Sequence, residues 1–139
     1  MKQLKLEKFE NILDVKFKDL TLVEKSLTHK SYNSKNNYEK LEFLGDRVLA
    51  LVISKKLLEI YPKESEGIID KKFSNLVNRK TCASIAKKLN LRKFMFLGES
   101  FKNLKRSDDK ILSDCLEAVI GAIYLELGYN VTEKFIIKN

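Results

Sequence analysis

The stretch "NNYEKLEFLGDRVLALVISKKLLEIYP", residues 36–62, decides the fold and raises the first question about function. Its many leucine, isoleucine and valine residues predict one long helix over residues 38–61, which Pro62 ends because a proline cannot continue a helix. Near its start the stretch also carries three carboxylates and a glycine: Glu39, Glu42, Asp46 and Gly45. Acidic side chains in an apolar helix need a physical reason.

The acidic side chains fall on one stripe of this helix, because a helix turns by about 100° per residue. A later stretch, "DCLEAVIGAIYL" at residues 114–125, repeats the arrangement, with Asp114 and Glu117 on one face and Gly121 near the same stripe. Apolar residues surround both stripes. A carboxylate among apolar residues must take up a proton, pair with a cation or bind a metal ion, since an unpaired buried charge is very costly.

Two explanations of the acids stay open on spacing alone. Four carboxylates from two facing helices would make an all-oxygen site suited to Mg²⁺ or Mn²⁺. The glycines would let the helix backbones approach closely, at about 1 kcal/mol each in helix propensity. The alternative is a solvated acidic face that stabilises the helix dipoles, which suits Glu39 but not Asp46 or Glu117, since these lie about two turns inside.

Length and charge suggest one domain with an anionic partner. The chain has 139 residues, 44% of them hydrophobic, which is enough for a single core over residues 1–139. The formal net charge of +8 favours a polyanion or an anionic membrane as partner, although solubility alone explains such a charge equally well. No apolar stretch approaches a membrane span, and the charged N-terminus does not fit a signal peptide. Cys82 and Cys115 are expected to be reduced core thiols of a cytoplasmic protein.

The remaining sequence predicts further helices and no strands. Thr21 and Glu24 have the spacing of a capping box, which would open a helix running to about His29. Gly128 is expected to cap the helix that carries Asp114. The polar, basic stretch over residues 97–109 is expected to be a loop. Apolar spacing predicts the other helices at residues 4–13, 66–77, 80–89, 110–127 and 131–137.

Four motifs together resemble the ribonuclease III family. The first is "YEKLEFLGDRVL" in the opening stretch, and "THKSY" before it resembles the family's H-x-S element. The other two are "SEGIIDKKFSNLVNRKTCASIA" and "ILSDCLEAVIGAIYLELGY". They follow one another in the family's order and cover about residues 27–129, so chance agreement is not expected.

The resemblance implies an all-α ribonuclease III endonuclease domain that dimerises and cuts double-stranded RNA with Mg²⁺, for which Mn²⁺ can substitute. Carried over by position, the metal-binding acids are Glu42, Asp46, Asp114 and Glu117, of which Asp46 and Glu117 also match catalytic positions. Glu39 and Glu66 match family acids that act near the scissile strand and the dimer interface. The positions that match the dimer interface are Leu41, Phe43 and Leu44.

The chain departs from the family in three places. Asp70 and Phe73 replace a hydroxyl and a basic residue found in many members, and residues 100–109 lack a frequent Gly-Gly pair. Bacterial members also carry a C-terminal domain that binds double-stranded RNA, for which this chain has no room, so we expect a catalytic domain cut from a longer protein. One alternative is a non-catalytic, RNA-binding or ribosome-associated member of the fold, which can lose the acids. Another is a helical interaction domain whose acids are solvated.

Two basic features have a structural and a functional interpretation. His29 beside a helix end is more often a structural hydrogen-bonding residue than a general base, and we expect the structural role. Lysine-rich runs are usually solvated faces. The run over residues 102–110 leads into the Asp114 helix and is therefore the first candidate for contact with RNA.

Overall fold

The computed structural model describes residues 2–102 and 108–139 and, within them, eight helices. They are α1 Lys2–Leu13, α2 Leu20–Ser26, α3 Glu39–Ile60, α4 Glu66–Leu76, α5 Arg79–Lys88, α6 Leu91–Phe94, α7 Glu99–Lys102 and α8 Asp109–Lys138. Across the described ranges the β structure is limited to one isolated parallel bridge, between Thr28 and Phe96. The predicted all-α fold is confirmed.

The fold is organised around α8, which packs most extensively against α3 and also contacts α2 and α5. Between Cys115 and Ile123 nearly every residue of α8 is buried. A helix that is apolar on all sides is typical of the centre of a core, because its neighbours cover every face. α8 therefore holds any residue it carries, including an acid, in a fixed position relative to α3.

Gly128 interrupts α8 with a non-helical backbone, at φ 86° and ψ −177°. A φ in this range is readily adopted only by glycine, so the residue divides α8 into two helical segments. The sequence predicted a helix end at Gly128 and a new helix soon after, which agrees with this break.

The predicted capping box at Thr21 is wrong. The N-cap of α2 is Asp19, whose carboxylate accepts hydrogen bonds from the backbone N–H of Thr21 at 2.9 Å and from its hydroxyl at 2.7 Å. Thr21 lies inside the first turn, so its side chain cannot serve as the cap. Aspartate is as good an N-cap residue as serine and better than threonine, which explains why the helix begins earlier.

The prediction of a loop over residues 97–109 is also partly wrong. Residues Glu99–Lys102 form the one-turn helix α7, and Asp109 already belongs to α8. The Phe101 ring of α7 lies 4.8 Å from the His29 ring, measured between centroids, so tertiary packing holds a turn that propensity alone does not predict. Residues 103–107 of the predicted loop lie outside the described residues. The sequence analysis also missed the short helix α6. Tertiary packing holds this turn too, since its Leu91 and Phe94 are buried in the core.

Both cysteines are buried and free, as predicted for core thiols. Burial raises the pKa of the Cys82 thiol to about 11, and it also raises the pKa of Cys115. Neither thiol is therefore ionised near neutral pH.

Of the helices in the described ranges, none has the length and apolar character needed to cross a membrane.

Candidate functional site

Two glycines set the distance between α3 and α8. A Cβ at Gly45 would collide with the backbone carbonyl of Glu117, and one at Gly121 would collide with the carbonyl of Leu41. Any other residue at either position would push the helices apart. The close approach expected from the glycines is confirmed, and it brings the two acidic stripes together.

Three acids meet where the helices cross. One carboxylate oxygen from each of Glu42, Asp114 and Glu117 lies within 4.8 Å of the other two, and all three residues are half-buried. This spacing is that of a group that could hold one divalent cation. Among the residues that the structure describes, no other group of three acids, histidines or cysteines has this spacing.

Asp46 lies at the edge of this cluster and shares a hydrogen bond with the Glu117 carboxyl group. Its side chain is 53% exposed and also pairs with Arg47 at 3.5 Å. One turn along α3 from Glu42, it faces solvent at the mouth of the site. The structure thus brings all four predicted acids together, three as a compact group and the fourth beside it.

Burial, together with the crowding of negative charge, changes the acidity of two members of the cluster. Burial, followed by the charge of Asp114 and a hydrogen bond to it, raises the pKa of Glu42 to about 7. Burial, followed by a hydrogen bond with Asp46 and its charge, raises the pKa of Glu117 to about 8. Without a cation, part of the cluster is therefore protonated near neutral pH. A bound cation would favour the ionised carboxylates, since an opposite charge lowers a carboxyl pKa.

The sequence analysis missed Lys110 as a neighbour of the acids. Its Nζ atom donates to Oδ2 of Asp114 at 2.8 Å. The four-residue spacing of a lysine and an aspartate on one helix was the available signal. The buried phenol of Tyr38 also lies near Asp114 and Glu42, and burial, the first cause, raises the pKa of this phenol.

The two further predicted acids lie outside the three-acid cluster. Glu39 is exposed in the first turn of α3. Its charge contributes to the raised pKa of Glu42, so it is near the site without joining it. Glu66 is exposed at the first turn of α4. The structure of one chain does not bring Glu66 to the cluster.

The three residues predicted for the dimer interface have different environments. Phe43 is 61% exposed, with the guanidinium of Arg47 at 3.8 Å from its ring centroid. Leu44 is partly buried against the core. Leu41 is only 4% exposed, so almost none of its side chain is left for a partner to cover. Of the three predicted interface residues, Phe43 therefore offers the most exposed surface to a partner.

His29 has the environment of a structural residue. Its Nδ1 atom accepts the backbone N–H of Ser31 at 3.1 Å and lies 2.7 Å from the Ser31 hydroxyl. That hydroxyl also accepts the backbone N–H of Gly98 at 2.9 Å. Burial, then the charge of Lys30, lowers the pKa of His29, which favours the neutral ring. These contacts join the segment after α2 to the segment before α7, as a structural hydrogen-bonding residue would.

Comparison with known proteins places this geometry in a family. Residues 19–139 match the ribonuclease-III-like family. Ribonuclease 3 of Pelagibacter ubique is 56% identical over 130 residues, which are 94% of this chain and 59% of the relative. Ribonuclease 3 of Nitratiruptor is 43% identical over 139 residues, 99% of this chain and 61% of the relative. The chain thus spans about three fifths of the length of these curated relatives.

Solved structures agree with the match. The nuclease domain of ribonuclease III from Campylobacter jejuni has a TM-score of 0.91 at 42% identity, over 96% of this chain and 94% of that one. That structure is described as flexible in a region involved in dimer formation. Dicer from Pichia stipitis has a TM-score of 0.69 at 29% identity, over 88% of this chain and 54% of that one. From its sequence and its fold, the chain belongs to the ribonuclease-III-like family.

Proposed function

We propose that this chain is the catalytic domain of a divalent-metal-dependent endonuclease that hydrolyses phosphodiester bonds in double-stranded RNA. The observation that carries the proposal is the cluster of Glu42, Asp114 and Glu117, with Asp46 beside it. Family membership and the names of the relatives support the reaction class. Because the chain covers only part of those relatives, the substrate and activity of the whole protein belong to the proposal as well.

The residues of the cluster suit Mg²⁺, or Mn²⁺ in its place. Both ions prefer oxygen ligands. Glu42, Asp114 and Glu117 offer carboxylate oxygens from two closely packed helices. The raised pKa values of Glu42 and Glu117 reflect their burial first and then the neighbouring carboxylates, and a divalent cation would offset both by favouring the ionised forms. When bound, such an ion supplies polarisation of a scissile phosphate and activation of water.

Each acidic residue of the site, and Lys110 beside them, would have a role that follows from its position. Glu42 and Asp114 would hold the ion from opposite helices. Glu117, whose carboxyl group shares a hydrogen bond with Asp46, would orient the attacking water together with that aspartate. Lys110 donates to Asp114 and would hold that carboxylate in place. The four carboxylates act through positioning, so no covalent protein intermediate is part of the proposal.

We propose a homodimer formed through the outer face of α3. Phe43, Leu51 and Leu58 are all more than half exposed and lie on one side of that helix. A two-fold axis beside this face would bury the apolar side chains of both copies against one another. Each copy would bring one acidic cluster, so that a dimer could cut both strands of a duplex.

A cleavage assay on the 139-residue chain tests the proposed reaction. Long double-stranded RNA should be cut in the presence of Mg²⁺ and remain intact in EDTA, because the carboxylates cannot replace the ion. Double-stranded DNA of the same sequence is the substrate control. Binding of the RNA without any metal-dependent cleavage would contradict the proposal and favour a non-catalytic, RNA-binding member of the family.

A further inference from the structure

A groove between α1 and α6, away from the acidic cluster, has the composition of a binding surface for an anion. It has a volume of about 480 Å³ and is lined by Lys2, Leu4, Lys5, Lys8, Lys93, Phe94 and Phe96. Four of these residues are lysines and none is acidic. Packing of the Phe9 ring against the Phe94 ring, with centroids 5.1 Å apart, holds the two helices together. The α1–α6 groove is therefore a fixed, positively charged depression with an apolar floor.

Most of the positive charge in the α1–α6 groove is not neutralised by the protein. Lys2 pairs with Glu24 at 3.2 Å. Within the described ranges, Lys5, Lys8 and Lys93 form no ion pair. Burial, then the charge of Lys2, lowers the pKa of Lys5, as expected where cations crowd together. Crowded ammonium groups repel one another, and an anion that bridges them would remove that cost.

Two aromatic rings lie side by side at one edge of the groove, Phe96 within its lining and Tyr32 next to it. The Phe96 ring lies under two lysines, with the Lys5 Nζ atom at 4.6 Å and the Lys2 Nζ atom at 5.1 Å from its centroid. The Tyr32 ring is next to it, with centroids 5.7 Å apart, and Tyr32 is 50% exposed. Its backbone N–H donates to the carbonyl of His29 at 2.9 Å, which fixes the position of the residue. An exposed, anchored aromatic ring beside lysines offers a stacking surface for an unpaired base.

The segment that carries Tyr32 leads along the chain into α3, which carries Glu42 and Asp46. The turn that follows is held by Asn33, whose side-chain oxygen accepts the backbone N–H groups of Lys35 and Asn36. Next comes Tyr38, whose N–H donates to the carbonyl of Thr28 at 2.9 Å, and then α3 with Glu42. Tyr32 therefore stands ten positions before Glu42, on a segment whose turn and whose entry into α3 are both held by hydrogen bonds.

We propose that the α1–α6 groove binds the phosphates of a single-stranded RNA segment that flanks the duplex, with one base stacked on Tyr32. The inference rests on the proposed function, since the duplex would occupy the acidic cluster. A duplex is a poorer occupant of the groove because its bases are already stacked on one another and offer no free face to Tyr32. The lysines would contribute salt-dependent affinity without sequence preference.

Binding measured by fluorescence anisotropy in EDTA, where no cleavage occurs, tests the groove. The probes are a blunt RNA duplex and the same duplex with a single-stranded tail. The unmodified chain should bind the tailed duplex about tenfold more tightly, which is the scale of a few phosphate contacts and one stacked base. The double variant Lys8→Glu, Lys93→Glu should lose this advantage, and the slope of log affinity against log salt should fall by about 1.4, or 0.7 for each lost contact.

A matched control separates the groove from general electrostatics. Lys16→Glu combined with Lys134→Glu makes the same change in net charge at exposed positions near the other end of α1, where Lys138 pairs with Asp14. This control should keep the preference for the tail. Tyr32→Leu keeps an apolar contact with Phe96 but removes the stacking ring, and it should weaken binding of the tailed duplex about fivefold.

Three results would overturn the groove assignment. They are equal affinity of the unmodified chain for blunt and tailed duplexes, equal loss in the control pair, and binding of anionic phospholipid vesicles but not of the tail. Mg²⁺-dependent cutting of the blunt duplex reports on the proposed function separately, and Lys8→Glu, Lys93→Glu should cut it at the unmodified rate. A chain that prefers the tail yet does not cut would overturn the nuclease proposal and leave the groove assignment standing.

Discussion

The two sides of α3 near its start differ in a way that is unusual for a helix of a small protein. The side that faces α8 carries Glu42 and Gly45, while the opposite side carries Phe43 and Leu51, both more than half exposed. A surface helix normally buries its apolar side and exposes its charges. The difference teaches that both sides of this part of α3 suit something other than the stability of one chain, namely the cation that we propose inside and the partner subunit that we propose outside.

The strongest test of the inner side is the contact between helix backbones. Gly45→Val should reduce the free energy of unfolding by about 3 kcal/mol, because the new side chain would have to push the Glu117 carbonyl away in a packed core. Urea unfolding followed by circular dichroism measures the change. Gly67→Ala on α4 is the control, since a Cβ there meets no atom within 4 Å, and it should be neutral or stabilising. Equal stability of Gly45→Val and the unmodified chain would disprove the role of the glycine contact.

Removing one inner carboxylate should affect cleavage while leaving the fold intact. Glu117→Gln should lower the cleavage rate of double-stranded RNA at least about a hundredfold, since small errors of position at a reacting centre are costly. RNA binding measured in EDTA should stay unchanged. Glu64→Gln removes an exposed carboxylate elsewhere and should cut normally. A Glu117→Gln variant that cuts at the unmodified rate would rule out its assignment to the metal site.

The outer side of α3 is tested by changing its most exposed aromatic residue. Phe43→Asp should give monomers and abolish double-strand cutting, because a charge at the centre of an apolar interface is not tolerated. The stability of the monomer should change by no more than about 0.5 kcal/mol, as is usual for an exposed position. Sedimentation equilibrium measures the mass.

Ile12→Asp, at an exposed apolar position on α1, is the matched control and should remain a dimer. Two observations would contradict the outer-face interface. One is an unmodified chain that sediments as a monomer at micromolar concentration, and the other is a Phe43→Asp variant that remains a dimer.

The smallest expected effect is the pH dependence of the metal-free protein. The pKa values of Glu42 and Glu117 are raised from 4.5 to about 7 and about 8, respectively. From about pH 4.5 up to these raised values, the folded state therefore binds more protons than the unfolded state. This contribution to stability is complete below about pH 4.5 and declines as the pH rises through 7 and 8. In EDTA, Glu117→Gln should therefore gain melting temperature relative to the unmodified chain as the pH is raised, and Mg²⁺ should remove that gain. A constant difference across the range would disprove the coupling.

Much of this site follows from the sequence because its acids lie on two helices that are otherwise rich in apolar residues. The stripes of Glu42 with Asp46 and of Asp114 with Glu117 depend only on helix geometry, and the nearby glycines indicate that the two helices touch. The structure also shows which of the four acids lies at the edge of the cluster. Asp46 and Glu42 are equivalent in the pattern, and only the crossing of α3 over α8 places Asp46 at the exposed mouth.

Features that depend on tertiary contacts could not be predicted from the sequence pattern. Leu41 and Phe43 are two positions apart in one apolar motif, yet one is buried in the core and the other is largely exposed. The short helices α6 and α7 have too few residues for a periodic pattern and are held by Phe94 and Phe101. The groove lysines come from α1 and from α6, and their sequence positions do not show that these helices are neighbours.

The crossing of α3 and α8 also has a consequence for the order of events during biosynthesis. Glu117 follows Glu42 by 75 positions, so a nascent chain presents half of the cluster long before the other half exists. At usual rates of translation the interval is on the order of ten seconds. A chain released prematurely within it would lack α8, and with it both the centre of the core and two of the four acids. The arrangement couples the proposed chemistry to completion of the fold, so that unfinished chains carry no assembled acidic cluster.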